Sequence, residues 1–273
     1  MVIHNSAAVG FSNAGSYDAH RPSYPSEAVT KLLQHLGLEG KNGARIIDLA
    51  AGTGKLTELL CHRPERFEVI AVEPHDKMRD TLNAKALKGV STQSGTADNM
   101  GVEDGWADAV VVAQTFHWFA NLDALREIRR VLRPEGKLAV IWNIDEYNKP
   151  RAWKATTEWE NSLHELVMDA AQDGQPRFRD YVWKDVFSKQ PEPALFSASL
   201  VENKTSYNVW LTKEALWERL ATLSHVAMLD GDKKEAFVQR FDEILVEGND
   251  GEWNDQNEIL MHGVTIFAWT TKL

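Results

Sequence analysis

Arg45-Ile46-Ile47-Asp48-Leu49, followed by Ala50-Ala51-Gly52-Thr53-Gly54 and Lys55-Leu56, decides how the chain is read. Arg45–Leu49 is a short apolar run, 50–54 is a glycine-bearing turn, and Leu56, Leu59 and Leu60 recur on one helical face until Pro64 closes the segment. This is strand, turn, helix, the opening unit of an α/β sheet. Glycine in such a turn lets the backbone approach a ligand closely, and the free N–H groups that open the helix favour negative charge.

Upstream, Val29, Leu32, Leu33 and Leu36 repeat at helical spacing behind a capping Ser26, with Gly37 placed to stop the helix. Downstream, Phe67–Val72 is a second strand ended by Glu73-Pro74, and a polar helix to about Leu87 leads to a weaker strand at 90–94. Ala107–Ala113 is the fourth strand, ended by the aromatic turn Thr115-Phe116-His117-Trp118-Phe119. Asn121 caps a helix striped by Leu122, Leu125, Ile128 and Leu132, and the turn Arg133-Pro134-Glu135-Gly136 returns the chain to a fifth strand, Lys137–Trp142. Strands that alternate with helices pair in parallel through right-handed crossovers. Residues 147–190, with Trp153, Trp159, Leu163, Leu166 and Val167, read as an inserted helical cap. Residues 191–273 supply a strand over Phe196–Trp210 with a bend at Asn203, helices over 212–223 and 233–246, and a final edge strand at Val264–Trp269. The expected class is α/β: a doubly wound, mostly parallel, seven-stranded sheet, with the ligand-binding core in 1–146.

The 273 residues are 43% hydrophobic and 26% charged, the balance of a folded globular protein rather than a disordered or fibrous one. Thirty Lys and Arg face 40 Asp and Glu, a net charge of −10 that repels nucleic-acid phosphates and anionic lipid heads. Neither nucleic acid nor membrane is expected as a partner. Cys61 is the only cysteine, so no internal disulfide or multi-cysteine metal site forms, and the residue reads as inert. His164-Glu165 lacks the second histidine of a zinc helix, and no metal is expected. Met1–Gly10 shows no basic stretch followed by an apolar one, and Ala107–Ala113 falls far short of the roughly 18 apolar residues of a membrane span. A cytoplasmic monomer or homodimer is expected.

Three ligand types compete for the 48–54 turn. A phosphate-binding P-loop fails, because Leu49 stands where its first glycine belongs and Leu56 follows Gly54-Lys55. A dinucleotide fingerprint is partial, because Thr57 occupies the third glycine position. For S-adenosylmethionine the acids decide. Glu73 ends the second strand where a carboxylate takes hydrogen bonds from ribose hydroxyls, Asp48 would repel a pyrophosphate yet attract a methionine ammonium, and Asp98 is placed to meet an adenine amino group.

Tyr17 with Arg21-Pro22-Ser23-Tyr24-Pro25, Asp48–Leu56, Val72-Glu73-Pro74 through Met78, Gly95–Asp98, Gln114–Phe119 and Arg130–Gly136 together resemble class I S-adenosylmethionine-dependent methyltransferases. The likeness is to the small-molecule branch that includes trans-aconitate methyltransferase-like and ubiquinone-biosynthesis-like enzymes. It implies a Rossmann-like methyltransferase fold over most of the chain, with S-adenosylhomocysteine as product. It also implies that the turn with Asp48, Ala50, Gly52 and Gly54 holds the methionine part, Glu73 with Pro74 the ribose, and Met78, Ala97 and Asp98 the adenine. Gln114 would lie beside the sulfonium, and Tyr17 and His117 would flank the methyl group. One departure is Ala50, where the family has glycine.

A sulfonium methyl is already electrophilic, so the protein's task is to hold a nucleophile in line and exclude water. The expected reaction is O-methylation of a small molecule. For a hydroxyl acceptor His117 would be the base, since an unperturbed imidazole titrates near neutrality. A carboxylate needs no base, and Arg21 with Arg177 or Arg179 would clamp it. Trp118 and Trp153 are expected to add apolar contact. A non-methylating rearrangement or cyclisation, a cofactor sensor and an NAD(P)-dependent oxidoreductase are the alternatives.

Overall fold

The computed structural model describes residues 14–170 and 174–273, with the backbone alone for Ala14, Ser16 and Tyr17. Helices α1 (Ala14–His20) and α2 (Ser26–Leu36) lead into β1 (Arg45–Leu49). Then α3 (Lys55–Cys61), β2 (Glu68–Val72), α4 (Asp76–Ala84), β3 (Val90–Gln93), β4 (Ala107–Ala113), α5 (Leu122–Val131) and β5 (Leu132–Asp145) follow. The chain continues through α6 (Glu158–Ala170), a short α7 (Asp185–Ser188), β6 (Val201–Thr212), α8 (Lys213–Ala221), α9 (Ser224–Ala227), α10 (Gly231–Glu247) and β7 (Glu258–Thr271). Local chemistry sets several boundaries. Gly37 ends α2 in the left-handed region at φ 72°, and Asn121 caps α5 by accepting the N–H of Ala124. Ser26 makes no capping bond; it is the first helical residue, behind Pro25.

The seven strands lie in the order β3-β2-β1-β4-β5-β7-β6. β1 to β5 are parallel, and β7 runs antiparallel to both β5 and β6. Alternate residues serve opposite faces. Ile47, Leu49, Val110, Val112, Leu138 and Val140 pack with Leu125 and Ile128 of α5. Ile46, Val69, Ala109, Val111, Ala139 and Ile141 pack with Leu32 and Leu33 of α2 and Leu56 and Leu60 of α3. The strand order reverses between β1 and β4, and the carboxyl ends there open the crevice in which such sheets bind ligands.

Three expectations about the strands need correction. β7 spans 258–271 and is internal, bonded on both sides; the buried run Ile266-Phe267-Ala268 marks a strand covered on both faces, and β6 takes the edge instead. β6 starts at Val201 and pairs in unbroken register through Asn203, while Phe196 makes a lone bridge to Lys272. β5 begins at Leu132, absorbing the expected 133–136 turn as an irregularity in which Glu135 sits at φ 61°.

β6 and β7 continue past the end of β5 as a two-stranded arm, from Asn208 opposite His262 to Thr212 opposite Glu258. On this arm Trp159, Leu163 and Val167 of α6 share a core with Leu216, Leu220, Phe237, Phe241, Ile244, Ile259 and Met261. Phe178, Trp183, Val186 and Phe187 pack instead with Phe116 and Trp142 in the main core. The 147–190 segment therefore divides between two cores, and α8 to α10 join α6 rather than flank the sheet. Among the described residues no helix is long and apolar enough to cross a membrane.

Candidate functional site

Parallel strands bring their carboxyl ends to one edge. The turn after β1, Glu73 and Pro74 after β2, Ala97 and Asp98 after β3 and Gln114 after β4 therefore gather there. The turn adopts left-handed conformations at Ala50 (φ 56°), Gly52 (φ 59°) and Gly54 (φ 83°). Ala50 holds a conformation that costs a residue with a Cβ about 1–2 kcal/mol, so a family glycine is replaced at the expense of stored strain. A Cβ on Gly52 would point into open space, whereas one on Gly54 would lie 2.2 Å from Leu82 Cδ1. Gly52 keeps a space open beside the turn; Gly54 lets α4 pack against it.

The buried Glu73 carboxylate accepts the Gly52 N–H through Oε2 and the His75 N–H through Oε1, both at 2.8 Å. Burial raises its pKa, and these bonds and Arg79 oppose the rise. Asp48 is fully buried. Its Oδ2 accepts the Thr57 hydroxyl at 2.6 Å, and its Oδ1 has no hydrogen-bond partner among the described residues. Burial, with the Glu73 charge adding and Thr57 opposing, pushes its carboxyl up to about 6. Thr57, which spoiled the dinucleotide fingerprint, is the residue that orients Asp48. Met78 and Ala97 are buried, and Asp98 is exposed with Oδ1 accepting the Thr96 hydroxyl, which lowers its pKa. Asp18 of α1 accepts the hydroxyl of Thr53 at 2.7 Å and Lys85 Nζ at 2.9 Å, tying α1 to the turn.

A second cleft adjoins the end of β4. Its lining includes Arg21, Gln114, His117, Trp118, Asn148, Arg177, Arg179 and the 222–225 turn. The Arg177 guanidinium stacks 4.8 Å from the Trp118 ring centre and donates to Gln175 O and to Ser224 Oγ. Arg179 donates to the Asn148 side chain, and Arg21 Nη2 to Thr222 O at 3.0 Å. Gln114, at φ 64°, lines this cleft and follows β4 at the same edge of the sheet as the 50–54 turn.

His117 contradicts the premise on which it was expected to act as a base. Burial, then the positive charges of Arg177 and Arg179, push its imidazole down to about 3, and its Nδ1 has no hydrogen-bond partner among the described residues. It is neutral throughout the physiological range, and a base that weak is poorly matched to neutral pH. Trp153 is not in the cleft: Lys204 Nζ lies 4.7 Å from its ring centre on the β6 side. The side chain of Tyr17 lies outside the described residues. The structure brings Arg21, Gln114, His117, Trp118 and Arg177, with Arg179, to the lining of one cleft. Asn148, Thr222, Ser224 and His225 were missed, because they enter from the turns after β5 and α8, which carry no motif.

A family profile described as a methyltransferase domain matches residues 47–140. An uncharacterized methyltransferase of Mycobacterium tuberculosis is 33% identical over 234 residues, covering 86% of this chain and 84% of that protein. The chain belongs to the methyltransferase family. This methyltransferase is also similar to a malonyl-[acyl-carrier protein] O-methyltransferase of Geobacter sulfurreducens, 34% identical over 131 residues, 46% of this chain and 48% of that one. Among solved structures, a candidate type II methyltransferase from Anaeromyxobacter dehalogenans covers 91% of the chain and 97% of its own, with a TM-score of 0.61 at 21% identity. That likeness speaks to the fold, the seven-stranded Rossmann-like sheet. The oxidoreductase alternative falls with the family assignment.

Proposed function

We propose that this methyltransferase moves the methyl group of S-adenosylmethionine to a carboxylate oxygen of a small organic acid. The observation that carries the acceptor is the convergence of Arg21, Arg177 and Arg179 on one cleft, where Arg177 and Arg179 add to burial in depressing His117. The similarity to a malonyl-[acyl-carrier protein] O-methyltransferase is consistent with it.

The residues of the crevice fit the cofactor: a buried carboxylate oxygen on Asp48 lacks a donor, the space beside Gly52 is open, and Glu73 is fixed by two backbone donors. Asp48 would attract the methionine ammonium, Glu73 accept the ribose hydroxyls, and Met78 and Ala97 cover the adenine. The cofactor supplies a methyl carbon made electrophilic by its sulfonium. The arginines orient the acid by paired N–H donors, so that one oxygen points at that carbon. A carboxylate acceptor would bring its own electron pair, so these residues would have no proton to remove. A His117 held near 3 is therefore no impediment; it remains a neutral polar wall beside Trp118.

Methyl-labelled S-adenosylmethionine and a panel of carboxylic acids test the acceptor. An ester product releases labelled methanol in mild base. A base-stable ether or amine would refute the carboxylate reading.

The pH dependence follows from Asp48. Folding holds its proton more tightly than the unfolded chain does, so ionising it costs the empty protein stability as pH rises from 3.8 to about 6. An ammonium ligand prefers the ionised form. For a ligand that lowers the group by about one unit, affinity for S-adenosylhomocysteine is full well above pH 6, is down about fivefold at pH 5 and approaches a tenfold loss at lower pH. Calorimetric titration across this range checks it, with Asp48→Asn removing the slope; a slope that survives in that variant assigns the effect elsewhere.

A further inference from the structure

We propose that Asp145, at the carboxyl end of β5, is a positioning residue for the acceptor cleft: with Tyr147, Tyr207 and Arg219 it fixes the two turns on which the cleft arginines rest. This goes beyond the acid-acceptor reading and rests on it for the identity of the cleft.

Asp145 is buried, and both its oxygens accept hydrogen bonds. Its Oδ2 accepts the Tyr147 hydroxyl at 2.6 Å, and its Oδ1 accepts the Tyr207 hydroxyl at 2.7 Å and Arg219 Nη1 at 3.3 Å. The donors come from the turn after β5, from β6 and from α8, so one carboxylate joins the sheet to the helical arm. A glycine makes this possible. In the sheet register Asp145 faces Gly263 on β7, and Gly263 faces Tyr207 on β6. A Cβ on Gly263 would lie within 2.6 Å of the Tyr207 ring and hydroxyl, so the tyrosine crosses β7 only because nothing projects there. Burial and the Asp145 charge keep both phenols protonated well above their usual range, so both remain donors.

From this quartet two turns lead to the cleft. Tyr147 precedes Asn148, which accepts from Arg179. Arg219 is followed by Thr222, whose hydroxyl donates to Arg219 O and whose carbonyl accepts from Arg21, and by Ser224, which accepts from Arg177. All three cleft arginines thus have a partner within five residues of a member of the quartet. Buried ionic groups of this kind are weak contributors to stability compared with apolar packing, and their best-attested value is in fixing geometry.

Asp145→Asn in the full-length protein tests the assignment with three readings: acceptor kinetics, calorimetric binding of S-adenosylhomocysteine, and amide hydrogen exchange of the complex. The expected result is an acceptor KM raised about tenfold, since small misplacements at a reacting centre have effects of this size or larger. Affinity for S-adenosylhomocysteine stays within about twofold, which is about 0.4 kcal/mol. Exchange rises over 146–148 and 219–225 but not over 48–57. Tyr207→Phe, which removes one donor and keeps the ring, should reproduce the pattern more weakly, and it carries the test if Asp145→Asn does not fold. Equal losses of acceptor and cofactor binding, or an unchanged KM with unchanged exchange, would overturn the proposal. Should the parent methylate something other than an acid, the acid reading falls, while KM for that acceptor and exchange at 219–225 still decide the role of Asp145.

Discussion

Arg177→Met lowers kcat/KM for the acid acceptor by about 100-fold, or about 2.7 kcal/mol, and leaves S-adenosylhomocysteine binding unchanged. The size follows from what the guanidinium offers: hydrogen bonds to a charged group are worth about 1.5–3 kcal/mol each, and a planar fork gives two to a carboxylate at once. Arg177 is buried and already oriented, with its face on Trp118 and donors on Gln175 and Ser224, so little ordering is required when an acid arrives. Methionine fills the aliphatic stem, which limits the folding penalty. Arg177→Lys keeps the charge without the fork and should fall between the two. Steady-state kinetics with calorimetry separate the outcomes. An unchanged kcat/KM would remove Arg177 from acceptor recognition.

Glu73→Ala weakens S-adenosylhomocysteine binding by about 1–3 kcal/mol, roughly 5- to 150-fold, with the acceptor KM much less affected. Two effects add. The ribose loses a charged acceptor, and the Gly52 and His75 N–H groups lose the carboxylate that fixes them beside the crevice. Glu73→Gln, which keeps one acceptor oxygen and offers a donor in place of the other, should recover only part of the loss. Calorimetry reads the affinity directly. A value equal to the parent's would mean that Glu73 only braces its own turn.

The core of the fold is legible because its signals are local. The short strand Arg45–Leu49 that carries Asp48, glycines at left-handed positions, Asn121 as a cap and Gly37 as a stop each require only their neighbours in sequence. The crevice proposed for the cofactor inherits that legibility, since parallel topology alone brings the ends of β1 to β4 together. The acceptor side does not. Asn148 comes from one segment, and Thr222, Ser224 and His225 from another more than 70 residues later; their juxtaposition in the cleft is a tertiary fact with no local signal.

The errors have the same origin. His117 looked like a near-neutral base because its own residue type is all the sequence displays, whereas its pKa is set by burial and by arginines 60 and 62 positions away. β7 read as an edge strand because alternation over 264–269 masks the buried triplet at its centre. Trp153 looked like an acceptor contact from its place in the aromatic-rich segment, and packing turned it toward Lys204. Each outcome depends on a partner distant in sequence.

A crystal structure of the protein grown with S-adenosylhomocysteine tests the central claim most directly. The predicted result places the ligand across the carboxyl ends of β1, β2 and β4, with its ribose hydroxyls on the Glu73 carboxylate, its ammonium directed toward Asp48 and its sulfur facing the cleft of Arg21, Arg177 and Arg179. A ligand bound elsewhere, or one whose sulfur points away from the three arginines, would contradict it.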